Sequence, residues 1–110
     1  MTDEMPERHP VLQGVELMVG TWAWGDRYIW GFGQEYGRDE IAAAFEACIQ
    51  SGTLFFDTAE VYGQGKSEEF LGRFQEGNAH DIRIATKFMP YPWRLRRASL
   101  LRALKASLRR

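Results

Sequence analysis

Three residues in the middle of the chain carry the groups needed to donate a proton to a carbonyl oxygen. Asp57 and Tyr62 lie in the segment Phe56–Gly63, and Lys87 lies in the segment Ala85–Phe88. A free phenol has a pKa of roughly 10 and is a poor proton donor at neutral pH. A neighbouring ammonium favours the phenolate and makes the phenol more acidic, and a carboxylate would keep that ammonium charged and oriented. Together the three side chains predict a tyrosine that acts as a general acid.

Strands and helices alternate along the part of the chain that must position these groups. Strands are predicted at Val15–Trp22, Leu54–Phe56 and Ile82–Thr86. Each is followed by a segment whose apolar residues have helical spacing. The predicted N-caps of the three helices are Asp39, Ser67 and Ser99. We expect Gly52 to end the first helix, and the last helix has an apolar stripe of Leu100, Leu101, Leu104 and Leu108.

This alternation predicts an α/β fold with a parallel sheet. In parallel α/β barrels the functional groups lie at the carboxyl ends of strands and in the loops that follow them. Asp57 and Lys87 end neighbouring predicted strands, and Tyr62 lies in the loop after the first of these. The three can therefore converge on one rim. The alternative is an Asp57–Lys87 ion pair that only stabilises the rim, with Tyr62 as packing, because structural ion pairs are common.

Composition excludes several classes of partner. The 110 residues are 45% hydrophobic and carry a net charge of -1, so the whole chain has no electrostatic bias toward nucleic acid or membranes. Residues 83–110 carry nine Lys or Arg and no acid. Because leucines interleave these charges with helical spacing, we interpret them as one face of a helix and not as a nucleic-acid arm. No run approaches the roughly 18 apolar residues that cross a bilayer.

The start of the chain and its cysteine content predict a cytoplasmic protein. The first residues are acidic and have no apolar core behind them, unlike a secretory signal peptide. The single cysteine, Cys48, cannot form an internal disulfide, which fits a reducing compartment. Residues 1–14 are predicted to be a disordered lead, and residues 15–110 are predicted to form the domain.

The sequence partly resembles two phosphate-binding motifs but matches neither. Gly65-Lys66-Ser67 opens a predicted helix, as in a P-loop, but Glu60 stands where that motif needs its first glycine. A carboxylate there would repel a phosphate. The glycines of Gly31–Gly37 resemble a dinucleotide fingerprint with one residue too many, and they follow a long loop instead of a tight turn.

Several blocks of this sequence resemble the aldo-keto reductase family. They occur in the family's order and cover about residues 15–110: Gly20–Asp26, Phe56–Gly63, Ser67–Gly72 and Ala85–Phe88. The segments Pro92–Arg94 and Ala103–Leu108 are similar to the plant and cyanobacterial pyridoxal-reductase-like branch. The match of Asp57, Tyr62 and Lys87 is specific because it joins separated blocks.

The resemblance implies reversible hydride transfer between NADPH and an aldehyde or ketone. Tyr62 would be the general acid, Lys87 the group that makes it more acidic, and Asp57 the partner of Lys87. The residues implied near the cofactor are Gly20, Thr21, Trp22 and Asp57. Those implied to line the carbonyl pocket are Trp24, Trp30 and Trp93, with ordinary packing as the alternative for each tryptophan. No metal is implied.

The resemblance also implies that this chain is a fragment. Its fold would be the first three βα units of a truncated (β/α)8 TIM barrel, a fold that typically runs about 250 residues. The family's catalytic His would lie beyond Arg110, and neither His9 nor His80 stands at its position. We expect the fragment to be inactive alone and its partners to be a small carbonyl substrate and the missing C-terminal barrel half. The alternative function is a non-enzymatic regulatory subunit, because channel-associated proteins use the same fold.

Overall fold

The computed structural model describes residue 7 and residues 9–77 and 80–110 of the chain. Within them strands and α-helices alternate, which confirms the prediction of an α/β fold. The strands are β1 (Val19–Gly20), β2 (Phe55–Asp57) and β3 (Arg83–Ala85), and the helices are α1 (Arg38–Gln50), α2 (Lys66–Glu76) and α3 (Arg97–Arg109). Strand β1 is much shorter than predicted because it pairs with β2 alone, and β2 offers only three residues.

The three strands form one parallel sheet in the order β1-β2-β3. Its register places Gly20, Asp57 and Ala85 side by side at the carboxyl ends of the strands. Backbone hydrogen bonds continue past these ends, from the Thr21 N–H to the Asp57 carbonyl at 3.0 Å and from the Thr58 N–H to the Ala85 carbonyl at 2.8 Å. The loops that follow the strands therefore start from a fixed rim.

Helix α1 begins at Arg38, two residues earlier than a cap at Asp39 would allow. Its N-cap is Gly37, so the prediction of Asp39 as the cap is wrong. The Glu40 carboxylate accepts a hydrogen bond from the Gly37 N–H at 2.9 Å, which satisfies a donor that the helix itself leaves unpaired. Gly52 follows the helix with a φ of 82°, the left-handed conformation that glycine adopts without steric cost.

The predicted caps of the other two helices are wrong as well. Gly65 precedes α2 with a φ of 96°, and Arg96 precedes α3 in an extended conformation. Ser67 lies inside the first turn of α2 and is fully buried, because its hydroxyl bonds to the strand ends. Ser99 lies inside the first turn of α3, where its N–H donates to the Arg96 carbonyl.

An aromatic cluster fills the space between the sheet and helices α1 and α2. Phe56 is completely buried at its centre, and the Phe45 ring lies 5.3 Å from the Phe56 ring and 4.7 Å from that of Phe74. Trp24 packs into this cluster 5.9 Å from Phe56 and is only 7% exposed. The prediction that Trp24 lines the carbonyl pocket therefore does not match its position, since its ring faces the core. The buried members are Trp24, Ile41, Phe45, Ile49, Phe56, Phe70, Leu71 and Ile82.

The leucine stripe of α3 is largely uncovered. Ala103 is the residue of α3 that is buried, whereas Leu100, Leu101, Leu104 and Leu108 are between 45% and 76% exposed. These leucines face solvent because β3 lies at the edge of the three-stranded sheet. None of the helices in the described part of the chain is both long and apolar enough to cross a bilayer.

Part of the expected disordered lead contacts the sheet. Pro10–Leu12 form a 3-10 turn. The Arg83 guanidinium, at the start of β3, donates hydrogen bonds to the carbonyls of Val11 and Gln13. Residues 1–6 and 8 of that lead lie outside the described residues.

Candidate active site

Lys87 and Asp57 meet at the rim where β2 and β3 end. Asp57 is the last residue of β2, and Lys87 follows β3 by two residues. The Lys87 Nζ donates to Asp57 Oδ2 at 2.9 Å and to the Thr58 carbonyl at 2.8 Å. Two acceptors at the end of β2 therefore fix the Lys87 ammonium. The parallel pairing of β2 and β3 brings these strand ends together.

The surroundings of Lys87 favour its charged form. Partial burial pulls its pKa down, but the hydrogen bond from Asp57 and the negative charge of that carboxylate outweigh this, with a smaller contribution from Tyr62. The net effect raises the pKa of Lys87 above its ordinary value. Lys87 is therefore a fixed positive charge at neutral pH.

Tyr62 reaches the same rim from a turn with unusual backbone geometry. It begins the 3-10 turn Tyr62–Gly65, in which Gly63 and Gln64 have φ values of 60° and 58°. A Cβ on Gly63 would lie 2.7 Å from the carbonyl oxygen of Gly25, so glycine lets the loops after β1 and β2 pack together. The Lys87 Nζ lies 5.2 Å from the centre of the Tyr62 ring, within the range of a cation–π contact.

Three buried hydroxyls hold the strand ends and α2 together beneath this rim. Ser67 Oγ lies 2.7 Å from Thr21 Oγ1 and 2.8 Å from Thr58 Oγ1, and it donates to the Thr21 carbonyl at 2.9 Å. Thr21 Oγ1 also donates to the Asp57 carbonyl at 3.1 Å. All three residues have no exposed surface. The Thr21 side chain is thus committed to the protein interior, although sequence reasoning placed it near the cofactor.

Aromatic side chains border Tyr62. The Trp22 ring stacks on the Tyr62 ring at 6.0 Å, and the Trp30 ring meets Trp22 edge-on at 5.8 Å. Buried Asp26 accepts hydrogen bonds from the N–H groups of Ile29 and Trp30, which fixes the loop that carries Trp30. The structure therefore brings the predicted residues Trp22 and Trp30 to the candidate site.

Trp93 lies on the neighbouring loop and contacts a different ring. It stacks on Tyr91 at 4.8 Å with the planes almost parallel, and it is 75% exposed. No ring contact joins Trp93 to Trp22, Trp30 or Tyr62 among the residues that the structure describes.

A second ion pair near the rim was missed by sequence reasoning. Glu60 Oε1 and Oε2 accept hydrogen bonds from Arg94 Nη1 and Nη2 at 2.7 and 3.2 Å. The sequence signal was weak, since it consists of one Glu between Asp57 and Tyr62 and one Arg among many near the end of the chain.

The rim has open surface beside the Asp57 carboxylate. Gly20 lies next to Asp57 in the sheet, and nothing stands within 4 Å of the position that a Cβ on Gly20 would occupy. Asp57 Oδ2 is bound to Lys87, while Oδ1 has no hydrogen-bond partner among the described residues. This strip beside Asp57 is therefore open. Among the described residues, no group of three or more His, Cys, Asp or Glu is arranged to hold a metal ion.

Comparisons with known proteins identify the family of this chain. Residues 16–110 match the model of the Aldo/keto reductase family. The chain is 41% identical to the chloroplastic pyridoxal reductase of Arabidopsis thaliana, over 83% of this chain and 27% of that protein. It is 30% identical to a probable voltage-gated potassium channel subunit beta of Oryza sativa subsp. japonica, over 86% of this chain and 29% of that protein.

A solved structure shares the same architecture. The crystal structure of the thermostable aldo-keto reductase Tm1743, in complex with the inhibitor epalrestat, superposes with a TM-score of 0.62 at 29% identity. The match covers 96% of this chain and 35% of that one. The chain therefore spans about a third or less of the proteins that it matches. It is a member of the aldo/keto reductase family.

Proposed function

We propose that this sequence supplies the proton-donating part of an NADPH-dependent reductase that converts an aldehyde or ketone to an alcohol. The observation that carries the proposal is the placement of the Lys87 ammonium between the Asp57 carboxylate, at 2.9 Å, and the Tyr62 ring, at 5.2 Å. Structural ion pairs are common, but this one lies at the surface, with 49% of the Lys87 side chain and 36% of the Asp57 side chain accessible to solvent. Exposed pairs add only about 0–1 kcal/mol to stability, so a role in chemistry explains the arrangement better.

In the proposed reaction Tyr62 Oη gives its proton to the carbonyl oxygen of the substrate. NADPH, when bound, supplies the hydride that adds to the carbonyl carbon. The phenolate left on Tyr62 is stabilised by the Lys87 charge and then regains a proton from water. Asp57 keeps Lys87 charged and oriented. The carbonyl thus gains one hydride and one proton, and the product is an alcohol.

The open strip beside Asp57 suits the nicotinamide end of that cofactor. Gly20 leaves space above the sheet edge, and Trp22 is 43% exposed. Asp57 Oδ1 is available to accept a hydrogen bond from a ribose hydroxyl. We assign Gly20, the backbone of Thr21, Trp22 and Asp57 to this contact.

We further propose that turnover needs more βα units than the three described here. The parallel order β1-β2-β3 and the coverage of 35% of Tm1743 support the reading of this chain as the first units of an eight-unit barrel. The remaining units would add the family's His and the loops for the adenosine phosphate, so we expect the 110-residue chain alone to be inactive. We also propose a cytoplasmic location, on the basis of the single cysteine.

Aromatic aldehydes are the substrate class to test first. Trp22 and Trp30 form an aromatic wall at Tyr62, and flat rings stack favourably on such walls. The similarity to a protein named pyridoxal reductase points to the same class. The second candidate function is a non-enzymatic regulatory subunit, which is favoured by the similarity to a potassium channel subunit beta.

The decisive experiment measures NADPH oxidation with a panel of aldehydes that includes pyridoxal. It uses the 110-residue chain and the longest natural protein that contains it. We expect Tyr62→Phe to lower kcat of the longer protein by about 10²- to 10⁴-fold, the usual contribution of a general acid. Tyr28→Phe is the matched control, because Tyr28 is 87% exposed. A longer protein that binds a channel partner and never oxidises NADPH would overturn the reductase proposal in favour of the regulatory one.

A further inference from the structure

We infer that Glu60 and Arg94 form a clasp that positions Lys87 against Asp57 and Tyr62 without touching the reacting atoms. The pair joins the loop after β2 to the loop after β3. The catalytic consequence of this inference rests on the proposed function, whereas the positioning itself does not.

The first support for the clasp is its bonding on both sides of Lys87. The Glu60 N–H donates to the Lys87 carbonyl at 3.3 Å. The Glu60 carboxylate accepts from the Met89 N–H at 2.8 Å. Glu60, in the loop after β2, thus holds the backbone immediately before and after Phe88. The Lys87 side chain in turn bonds to Asp57 and Thr58 at the end of β2.

The second support is that Arg94 fixes the Glu60 carboxylate. The guanidinium makes the two-pronged contact with Glu60, and its Nη1 also donates to the Met89 carbonyl at 3.2 Å. It lies 4.5 Å from the centre of the Phe88 ring. Two-pronged arginine–carboxylate contacts constrain direction as well as distance. The carboxylate therefore cannot turn away from the Met89 N–H without breaking both prongs.

The third support is burial. Only 9% of the Glu60 side chain is exposed, compared with 36% for Asp57. The Arg94 contact, opposed by burial and aided by the Met89 N–H, lowers the pKa of Glu60 below its ordinary value. Glu60 therefore stays ionised at neutral pH and keeps its contact with Arg94, while the Lys87 side chain remains accessible at the rim.

The clasp explains how a long, flexible lysine can occupy one place. Lysine side chains lose substantial rotamer freedom when they are fixed, and a displacement of about 1 Å in a reacting group can cost about 10²-fold in rate. A backbone held on both sides removes one source of that displacement. Glu60 and Arg94 are therefore positioning residues for Lys87.

The test follows the titration of the Lys87 amine by NMR in the 110-residue chain, with Lys87→Arg used to assign its signal. The variants are Glu60→Gln and Arg94→Gln, and the matched controls are Glu46→Gln and Arg102→Gln. Glu46 bonds to Gln50 and Arg102 to Ala98, each within its own helix. We expect the pKa of Lys87 to fall toward its ordinary value in both clasp variants. Acylation of Lys87 should also become several-fold faster relative to Lys66 and Lys105, with neither change in the controls.

Unchanged Lys87 titration in folded clasp variants would overturn the inference, even if the amides of residues 88–94 exchange faster. Should both Gln variants fail to fold, Arg94→Lys decides the matter. This substitution keeps the positive charge but loses the two-pronged contact with Glu60, so the pKa of Lys87 must fall by a smaller amount than in the Gln variants. In the longer protein, the clasp variants should lower kcat on the order of 10-fold with little change in KM. If the wild-type protein reduces nothing while the titration shifts as expected, the proposed function fails and the clasp stands.

Discussion

The Lys87 ammonium donates to the Asp57 carboxylate across the ends of two adjacent parallel strands, at 2.9 Å. The same ammonium donates to the Thr58 carbonyl and faces the Tyr62 ring. Because more than a third of each side chain of the pair is accessible to solvent, the pair stabilises the fold only weakly. The pair holds a positive charge beside the Tyr62 ring.

Replacing Asp57 with Asn should lower the pKa of Lys87, because the largest influence that raises it is removed. Since the pKa of Lys87 is raised in the folded chain, its stabilising contribution is present below the ordinary lysine value of about 10.4 and is lost as pH rises through the folded pKa. Asp57→Asn should therefore cost about 0–1 kcal/mol at neutral pH, and this cost should vanish at strongly alkaline pH. Urea denaturation across the alkaline range measures it.

The control for this prediction is Asp39→Asn, which removes an acid from the exposed first turn of α1. Its effect on the free energy of unfolding should not change across the pH range in which lysine titrates. An equal cost of Asp57→Asn at neutral and strongly alkaline pH would contradict the assignment of Asp57 as the partner of the Lys87 charge.

Glu60→Gln should change how the free energy of unfolding depends on pH on the acidic side of neutrality. The pKa of Glu60 is lowered, so its contribution is present above the ordinary Glu value of about 4.3 and is lost as pH falls through the folded pKa. We expect the substitution to cost about 1–3 kcal/mol at neutral pH, because the Met89 N–H and the Arg94 guanidinium lose a charged acceptor. The wild-type and variant curves should converge as pH falls through the lowered pKa of Glu60. Denaturant midpoints measured from neutral to acid pH test this, and parallel curves would refute it.

The residues at the rim could be predicted from the sequence because each lies at or just after the end of a predicted strand. Apolar Phe55 and Phe56 end in Asp57, and a parallel register places the end of the next strand beside it. The same reasoning led to Lys87 and Tyr62, whose roles stay predictions. It could not find the Glu60–Arg94 contact, since nothing in their separation along the chain indicates that their loops meet.

Tertiary packing overrode the local preferences where the sequence-based predictions were wrong. Ser67 is a good helix cap by residue type, but its hydroxyl is used by Thr21 and Thr58 in the interior. Trp24 sits in a glycine-rich motif beside Trp22, yet its ring turns to Phe45 and the core while Trp22 faces the rim. Which of two neighbouring aromatics is buried depends on contacts that composition does not specify.

Ser67→Ala should destabilise the fold by about 1–3 kcal/mol, the cost of leaving buried polar groups without a partner. The substitution removes the shared oxygen of the hydroxyl network, so Thr58 Oγ1 loses its contact and the Thr21 carbonyl loses a donor. Chemical denaturation of the two proteins measures the difference. Ser99→Ala is the matched control, because Ser99 lies in the first turn of α3 outside this network. Equal losses in the two variants would mean that the network contributes no stability of its own.

The contrast between Leu71 and Leu108 tests how much of the fold these three βα units complete. Leu71 on α2 is 1% exposed, whereas Leu108 on α3 is 76% exposed. Leu71→Ala should cost about 2–5 kcal/mol, because it opens a cavity in a packed core. Leu108→Ala should change the free energy of unfolding of the 110-residue chain by no more than about 0.5 kcal/mol, as exposed substitutions do.

In the longest natural protein that contains this sequence, the proposed barrel would cover the α3 stripe. Leu108→Ala should then also cost about 2 kcal/mol or more. A negligible cost there would contradict the proposal that further βα units pack on α3, and it would leave the assignment of Leu71 to the core unaffected.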